Sequence, residues 1–169
     1  MPRPASLENW DHLAMTLLLG TPFESAGELE AFRGSDGGVV LDSPHLRFAN
    51  PRDIRLNPHG LGPFSRLIVP ALPDQPGVYA ISSADQVVLY VGRARDSLRR
   101  RWGRGGYAVI DPRNCFVGGQ STNCHINGLI TAGLCQGEGY TLSFHTVDPP
   151  DDLERRLRSG LRPIWNLQI

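Results

Sequence analysis

The chain has no lysine, few cysteines and no net charge. All 17 basic residues are arginine, and 17 acidic residues balance them, which excludes the uniformly basic surface of a histone-like protein. Three cysteines are an odd number, which argues against a secreted disulfide framework. The apolar runs are too short to cross a bilayer, and the Met-Pro-Arg-Pro start lacks the apolar stretch of a signal peptide. We therefore expect a soluble, cytoplasmic protein with no membrane partner.

The 169 residues suit one domain with a short extension. Hydrophobic residues make up 40% of the chain, which is enough for a folded core. The two halves of the chain carry opposite net charge. Residues 1–85 have 6 arginines and 10 acidic residues, whereas residues 86–169 have 11 arginines and 7 acidic residues. If the protein binds a polyanion, we expect the second half of the chain to contact it.

Two helices are predicted near the N-terminus. One starts at a Ser6 cap, follows helical apolar spacing to Leu18 and ends at Gly20. The other covers residues 25–32, where Ser-Ala-Gly-Glu has the spacing of a capping box. The later patterns predict strands over residues 39–41, 46–48, 77–82, 87–92 and 140–147, and helices over residues 96–104, 122–134 and 151–158.

The strands at 77–82 and 87–92 are separated by four residues and predict a β-hairpin. With a four-residue loop, Tyr79 and Tyr90 become direct cross-strand neighbours on one face of the sheet. The alternative is that this tyrosine pair only packs the sheet, as aromatic pairs commonly do.

An arginine-rich segment follows the hairpin directly. Residues 93–104 contain six arginines and one aspartate. Successive helical residues turn by about 100°, so these side chains point in several directions. One or two of them could bind a phosphate bidentately while others follow a nucleic-acid backbone as counterions. The alternative is a solvated helix face, the usual position of a charge run.

These motifs resemble the GIY-YIG nuclease superfamily. The matching elements are a Gly-Val-Tyr ending at Tyr79, a Tyr-Val-Gly starting at Tyr90, and an arginine on the next helix. Arg101 is preferred to Arg100 for this position because it precedes a tryptophan. The resemblance implies an α+β core with a central three-stranded, mainly antiparallel sheet flanked by helices, over residues 71–169. It leaves residues 1–70 as an N-terminal extension for specificity or dimer contacts.

The resemblance extends to the end of the chain. Glu154 and Asn166 are 12 residues apart, and residues 162–166 look like the closing Arg-Pro-x-x-Asn of the family. The family also often carries a His or Tyr four residues after its helix arginine, where this chain has Gly105. Tyr107 is the nearest residue that could substitute for it.

The resemblance implies metal-dependent hydrolysis of DNA phosphodiester bonds. Glu154 would hold Mg²⁺ or Mn²⁺, since magnesium often binds one or two carboxylates plus substrate phosphate. Tyr79 by preference, and Tyr90 next, would take the proton of the attacking water, while Arg101 would neutralise charge on the phosphate. Asn166 would orient Glu154 or the substrate. By spacing alone, Glu154 could instead belong to a capping box that starts at Asp151.

Residues 112–127 look like an insert found in the restriction-enzyme branch. A type II restriction enzyme that cuts double-stranded DNA at a palindrome is expected to act as a homodimer, alongside a protective DNA methyltransferase. The residues expected to contact DNA are basic or amide side chains of this half of the chain: Arg93, Arg95, Arg99, Arg100, Arg104, Arg113, Asn123 and His125.

Two other functions fit the same residues. One is a structure-selective or homing-type nuclease, and the other is a non-catalytic nucleic-acid-binding module that kept the basic segment. A zinc site is a further alternative for four side chains, but their spacing lacks the short knuckles of structural zinc sites and favours buried thiols instead. These four are Cys115, Cys124, His125 and Cys135.

Overall fold

The computed structural model describes residues 14–167, which form a mixed α+β structure. The α+β class expected from the sequence is confirmed. The strands are β1 Met15–Leu18, β2 Thr21–Ala31, β3 Leu41–Asp42, β4 Phe64–Ser65, β5 Leu67–Ile68, β6 Gly77–Ser83, β7 Val88–Ala94 and β8 Tyr140–Thr146. The helices are α1 Leu98–Arg101, α2 Ser121–Cys135 and α3 Asp151–Leu161, with 3-10 turns at Pro44–Arg47 and Pro112–Cys115.

The main sheet is larger than the three strands expected. Its order is β1-β2-β8-β6-β7, with β5 paired to the end of β2, and every pairing is antiparallel. The β3 and β4 strands form a separate two-stranded sheet. Strands β8, β6 and β7 are adjacent and antiparallel, and β2 extends the sheet because it pairs along β8. The N-terminal extension over residues 1–70 remains a prediction, but residues 21–31 share the main sheet.

Both N-terminal helix predictions fail within the described residues. Residues 6–13 of the first lie outside the described part of the chain, and residues 15–18 form β1. Leu19 and Gly20 have φ values of 46° and 81°, so the glycine serves a two-residue hairpin turn rather than a helix end. Residues 25–32 lie mostly in β2, because pairing with β8 outweighs the local capping-box pattern. Residues 46–48 lie in and beside a 3-10 turn rather than in a strand.

The other helix predictions are largely confirmed. The α2 and α3 helices match two of them, and α3 continues past Gly160 until Arg162 adopts a left-handed conformation with φ 49°. The predicted helix over residues 96–104 is reduced to the four residues of α1, where the Ser97 hydroxyl accepts the backbone N–H of Arg100 as a cap. Within residues 14–167, no helix is long and apolar enough to cross a membrane.

The sheet buries side chains on both faces, because successive strand residues point in opposite directions. On one face, Val78 and Val91 pack with Leu157 of α3. On the other face, Ile81 and its neighbours pack with Ile126 of α2. The β7 strand is therefore packed on both sides while it forms one edge of the sheet.

The predicted hairpin is confirmed, but its register differs by two residues. Tyr79 pairs with Gly92, and Ile81 pairs with Tyr90, because an irregularity lies between Ile81 and Ser82. A shift of two residues keeps each side chain on its original face. Tyr79 and Tyr90 are therefore diagonal rather than direct neighbours, with ring centres 6.2 Å apart on the same face.

We expect Gly92→Ala to destabilise the fold, because the Tyr79 ring lies directly over Gly92. A Cβ atom at residue 92 would lie 2.5 Å from Tyr79 Oη and 2.6 Å from Cζ. The ring is buried against Trp102 and cannot move away freely. Overpacking of this kind costs about 1–3 kcal/mol, which urea unfolding would measure.

The matched control is Gly139→Ala, since a Cβ there meets no atom within 4 Å. Its unfolding free energy should stay within about 0.5 kcal/mol of wild type. An unchanged urea midpoint for Gly92→Ala would contradict the packing of Tyr79 on Gly92.

Candidate functional site

The hydroxyls of three tyrosines meet in one buried cluster. Tyr107 Oη lies 2.7 Å from Tyr79 Oη and 3.3 Å from Tyr90 Oη. A terminal nitrogen of Arg101 donates to Tyr107 Oη at 2.9 Å, and the guanidinium carbon lies 4.5 Å from the Tyr107 ring centre. The two predicted tyrosines and the predicted arginine thus share one hydrogen-bond network, with Tyr107 at its centre.

A tight loop brings Tyr107 back to helix α1. The Tyr107 backbone N–H donates to the Arg101 carbonyl, and the Tyr107 ring packs edge-on against Trp102 with centres 4.8 Å apart. Gly106 makes this return possible, because a Cβ there would lie 2.2 Å from the Arg101 carbonyl oxygen. Tyr107 therefore reaches the network although it lies six residues after Arg101. The resemblance places a His or Tyr only four residues after this arginine.

Tyr90 is the member of the cluster that borders an open cleft. Tyr79 and Tyr107 are 1% and 0% exposed, and Tyr90 is 7% exposed. Tyr90 lines a cleft of about 310 Å³ whose wall also includes Arg158 and Asn166. Burial raises the pKa of both Tyr79 and Tyr90 above that of free tyrosine. Of the two tyrosines expected to act on a water molecule, Tyr90 is the one with access to a cleft.

Arg101 is the arginine of α1 that faces the cluster. Its Nε is buried without a hydrogen-bond partner among the described residues, and its other terminal nitrogen donates to the Gln120 side chain at 3.3 Å. Arg100, the alternative assignment, is exposed and lies 3.6 Å from Asp96. The geometry favours Arg101 for the site.

Glu154 lies on the first turn of α3, between two arginines. Its Oε2 accepts from Arg93 at 2.6 Å, and its Oε1 accepts from Arg158 at 3.1 Å. The capping-box alternative is wrong, since the N-cap position of α3 is Pro150 and the Glu154 carboxylate bonds to side chains rather than to the helix end. Glu154 is only 5% exposed, but it lines a second cleft, of about 460 Å³.

The tyrosine cluster and Glu154 lie on opposite faces of β7. Tyr90 points to the α2 side, whereas Arg93 points with Val91 to the α3 side, where it meets Glu154. No hydrogen bond or ion pair joins Arg101 to Glu154 within residues 14–167. Arg158 lines both clefts and bonds to Glu154.

The sequence reasoning missed Arg158. The spacing of Glu154 and Arg158 could have identified it. Residues four apart on a helix are neighbours, and a glutamate followed at that distance by an arginine forms an ion pair.

Asn166 fastens the C-terminal segment to the free edge of β7. Its Nδ2 donates to the Val91 carbonyl at 2.8 Å, and its Oδ1 accepts the Val91 N–H at 3.0 Å. The Trp165 N–H donates to the Leu89 carbonyl. Asn166 therefore binds the strand between the two clefts, and it orients β7 rather than contacting Glu154.

The predicted DNA-contacting residues differ in exposure and in internal bonding. Arg95, Arg99, Arg100 and Arg104 are exposed near α1, and Arg99 also donates to the Leu72 carbonyl. Asn123 is buried and donates to the Gly105 carbonyl. Arg93 and Arg95 bind acidic side chains at the Glu154 cleft, Arg113 binds loop carbonyls and His125 binds the Trp165 carbonyl.

The cysteines do not gather as a metal site within the described residues. Cys115 and Cys124 are buried in one small apolar cluster with Phe64 and Ile110, and Cys135 is exposed at the end of α2. Burial raises the pKa of the Cys124 thiol to about 12. No group of three or more His, Cys, Asp or Glu side chains suited to a metal was found over residues 14–167.

The Glu154 carboxylate fits a hard divalent cation that needs few protein ligands. A carboxylate offers about four acceptor positions, and Arg93 and Arg158 use two of them. The carboxylate also faces a cleft with room for water ligands. Two guanidinium groups beside it oppose a bound cation, so a phosphate in the same cleft would be needed to balance their charge.

The chain matches no protein-family model, no curated protein and no solved structure.

We expect Tyr107→Phe to destabilise the fold and to release Arg101. The change leaves the Tyr79 hydroxyl and the Arg101 nitrogen without their partner in a buried region. Such losses cost about 1–3 kcal/mol, which chemical unfolding would measure. Tyr140→Phe is the matched control, because within residues 14–167 its hydroxyl bonds to Glu138 alone, and that exposed carboxylate stays hydrated after the change. It should cost about 1 kcal/mol or less. Equal effects of the two changes would argue against a central role for Tyr107.

Proposed function

We propose that this protein is a metal-dependent DNA endonuclease of the GIY-YIG type, and specifically a type II restriction enzyme. The observation that carries the proposal is the joining of Tyr79, Tyr90 and Arg101 through Tyr107, at a cleft whose wall includes Arg158. Arg158 in turn binds Glu154. The resemblance named four of these residues from motifs up to 75 positions apart. Tyr79, Tyr90 and Arg101 meet on one face of β7, and Glu154 lies on the other face.

Tyr90 rather than Tyr79 accepts the proton of the attacking water in this proposal. A general base must reach the proton that it removes, directly or through one water. Tyr79 is buried beneath the Tyr107 hydroxyl, whereas Tyr90 borders the cleft. Water attacks the phosphorus, and its proton passes to the phenolate form of Tyr90. The bond from phosphorus to the sugar oxygen breaks, and that oxygen takes a proton from solvent.

Tyr107 links the charge of Arg101 to Tyr90. A tyrosine hydroxyl donates one hydrogen bond and accepts two. Tyr107 can therefore accept from Arg101 and from Tyr79 while it donates to Tyr90, which orders the three hydroxyls toward the cleft. The nearby positive charge of Arg101 favours the phenolate form of Tyr90 against the effect of burial. In the same position Arg101 can neutralise charge on a phosphate.

Glu154 would hold the Mg²⁺ or Mn²⁺ ion. Such an ion polarises the phosphate and stabilises the leaving oxygen. A single carboxylate in the site favours one metal ion over a two-metal arrangement. Asn166 contributes by fixing β7, the strand that carries both Tyr90 and Arg93.

Double-stranded DNA would cross the edge of β7 and the α1 surface. The exposed arginines near α1 give this region a local positive charge, and phosphate contacts of this kind dominate non-specific affinity. Cutting both strands of a palindrome requires two active sites related by a two-fold axis. The proposal therefore includes a homodimer, specificity or dimer contacts from residues 1–70, and a cognate DNA methyltransferase that protects the host sequence.

A plasmid-cleavage assay tests this function. We expect Mg²⁺-dependent cutting of DNA to discrete fragments. Glu154→Gln keeps the size of the side chain but removes its charge. We expect the cleavage rate to fall about 100-fold or more, because the variant loses several kcal/mol of transition-state stabilisation. DNA binding, measured by fluorescence anisotropy, should persist. Asp152→Asn is the matched control, because Asp152 is exposed on the same helix and pairs with Arg155.

Each other outcome of this assay identifies a different function. Diffuse nicking would favour a structure-selective or homing-type nuclease. Binding without cutting would favour a non-catalytic module, in which the two ion pairs of Glu154 serve only the fold. Full cutting by Glu154→Gln would remove Glu154 from the reaction.

We expect kcat/KM for cleavage to rise with pH through the neutral range. Burial raises the pKa of Tyr90 above that of free tyrosine. Across the neutral range the pH stays below this pKa, so the phenolate fraction grows about tenfold for each unit that the pH rises. A profile from about pH 7 to 9 should climb without a plateau, and Tyr90→Phe should remove the slope with most of the activity. A plateau above about pH 7 would indicate a histidine base instead.

A further inference from the structure

The Glu154 cleft, which Arg158 lines, contains more arginines than acidic residues. The cleft around Glu154 is lined by four arginines but only two acidic residues. Arg93 contacts both Asp151 and Glu154, and Arg95 also binds Asp151. The two carboxylates are thus already paired before Arg158 is counted.

The contacts of Arg158 leave much of its guanidinium free. One terminal nitrogen donates to Glu154 Oε1 at 3.1 Å, and Nε is buried with no partner among the described residues. The side chain is 25% exposed. It borders the Tyr90 cleft as well as the Glu154 cleft. A guanidinium with unused donors at this boundary can bind a phosphate oxygen pair bidentately.

We propose that Arg158 is a clasp that couples metal binding to DNA binding. In the free protein it covers Oε1 of Glu154 and repels a cation from that carboxylate. When a DNA phosphate enters, the guanidinium turns from Glu154 to the phosphate, and Oε1 becomes available to the metal ion. This inference rests on the proposed nuclease function and assigns Arg158 as a positioning residue for the metal ligand and a contact for the phosphate.

The coupling is reciprocal by thermodynamic necessity. If DNA raises the affinity for the metal ion by a given factor, the metal ion raises the affinity for DNA by the same factor. Free protein should therefore bind the ion weakly, and the complex with DNA should bind it tightly. Such an arrangement keeps Glu154 neutralised by arginines until substrate is present.

Mn²⁺ binding measured by electron paramagnetic resonance tests the clasp without measuring cleavage. For Arg158→Gln in the absence of DNA, we expect Mn²⁺ to bind about five- to tenfold more tightly than to wild type. Arg155→Gln is the matched control, since Arg155 lines the same cleft but pairs with Asp152. Its Mn²⁺ affinity should change by less than about twofold. An unchanged affinity in folded Arg158→Gln would overturn the proposal.

A second measurement uses the wild-type protein and does not depend on the stability of the variant. Mn²⁺ affinity is determined with and without a short DNA duplex at low salt, after subtraction of the Mn²⁺ that the same duplex binds alone. Tighter binding with the duplex supports the clasp, and equal binding overturns it.

The two proposals fail separately. If wild type cuts no DNA while Arg158→Gln still gains Mn²⁺ affinity, the coupling of Arg158 to the carboxylate stands and the nuclease function falls. If wild type cuts DNA and neither Mn²⁺ measurement changes, the nuclease function stands and the clasp falls.

Discussion

The contact between the Tyr79 ring and Gly92 is the constraint on which the site depends. It exists because β6 pairs with β7 in a register that sets these two residues opposite each other. The missing side chain at residue 92 leaves room for the Tyr79 ring, and its hydroxyl then reaches Tyr107. A side chain at that position would push the ring away from Tyr107. The glycine of the second tripeptide is therefore as necessary to the cluster as either tyrosine.

An edge strand gives this protein access to both faces of its sheet. Residues of β7 alternate between the tyrosine cluster and the α3 side, so one strand supplies Tyr90 to one cleft and Arg93 to the other. An exposed edge is open to pairing with other chains. Asn166 prevents this at Val91 by bonding to its backbone, while it leaves space on either side of the strand.

The sequence predicted the C-terminal half of the fold better than the N-terminal half. Local signals agree with tertiary pairing in the hairpin, α2 and α3, whereas β2 carries a helix-like capping box and extends only because β8 lies beside it. The hairpin register could not be predicted, since it depends on one irregularity next to Ser82. Tyr107 was identified as a substitute by nearness in sequence, but its central position depends on a glycine-dependent loop. Arg158 belonged to no motif.

The distribution of charge around Glu154 limits what the site can bind. A buried carboxylate needs partners, because loss of its hydration is not otherwise offset. Arg93 and Arg158 provide them, but three further charged neighbours leave the cleft with an excess of arginine. Such a cleft attracts an anion more readily than an isolated cation. Under the proposed function, a divalent ion would be held there only together with a phosphate, and the substrate would then form part of the metal site.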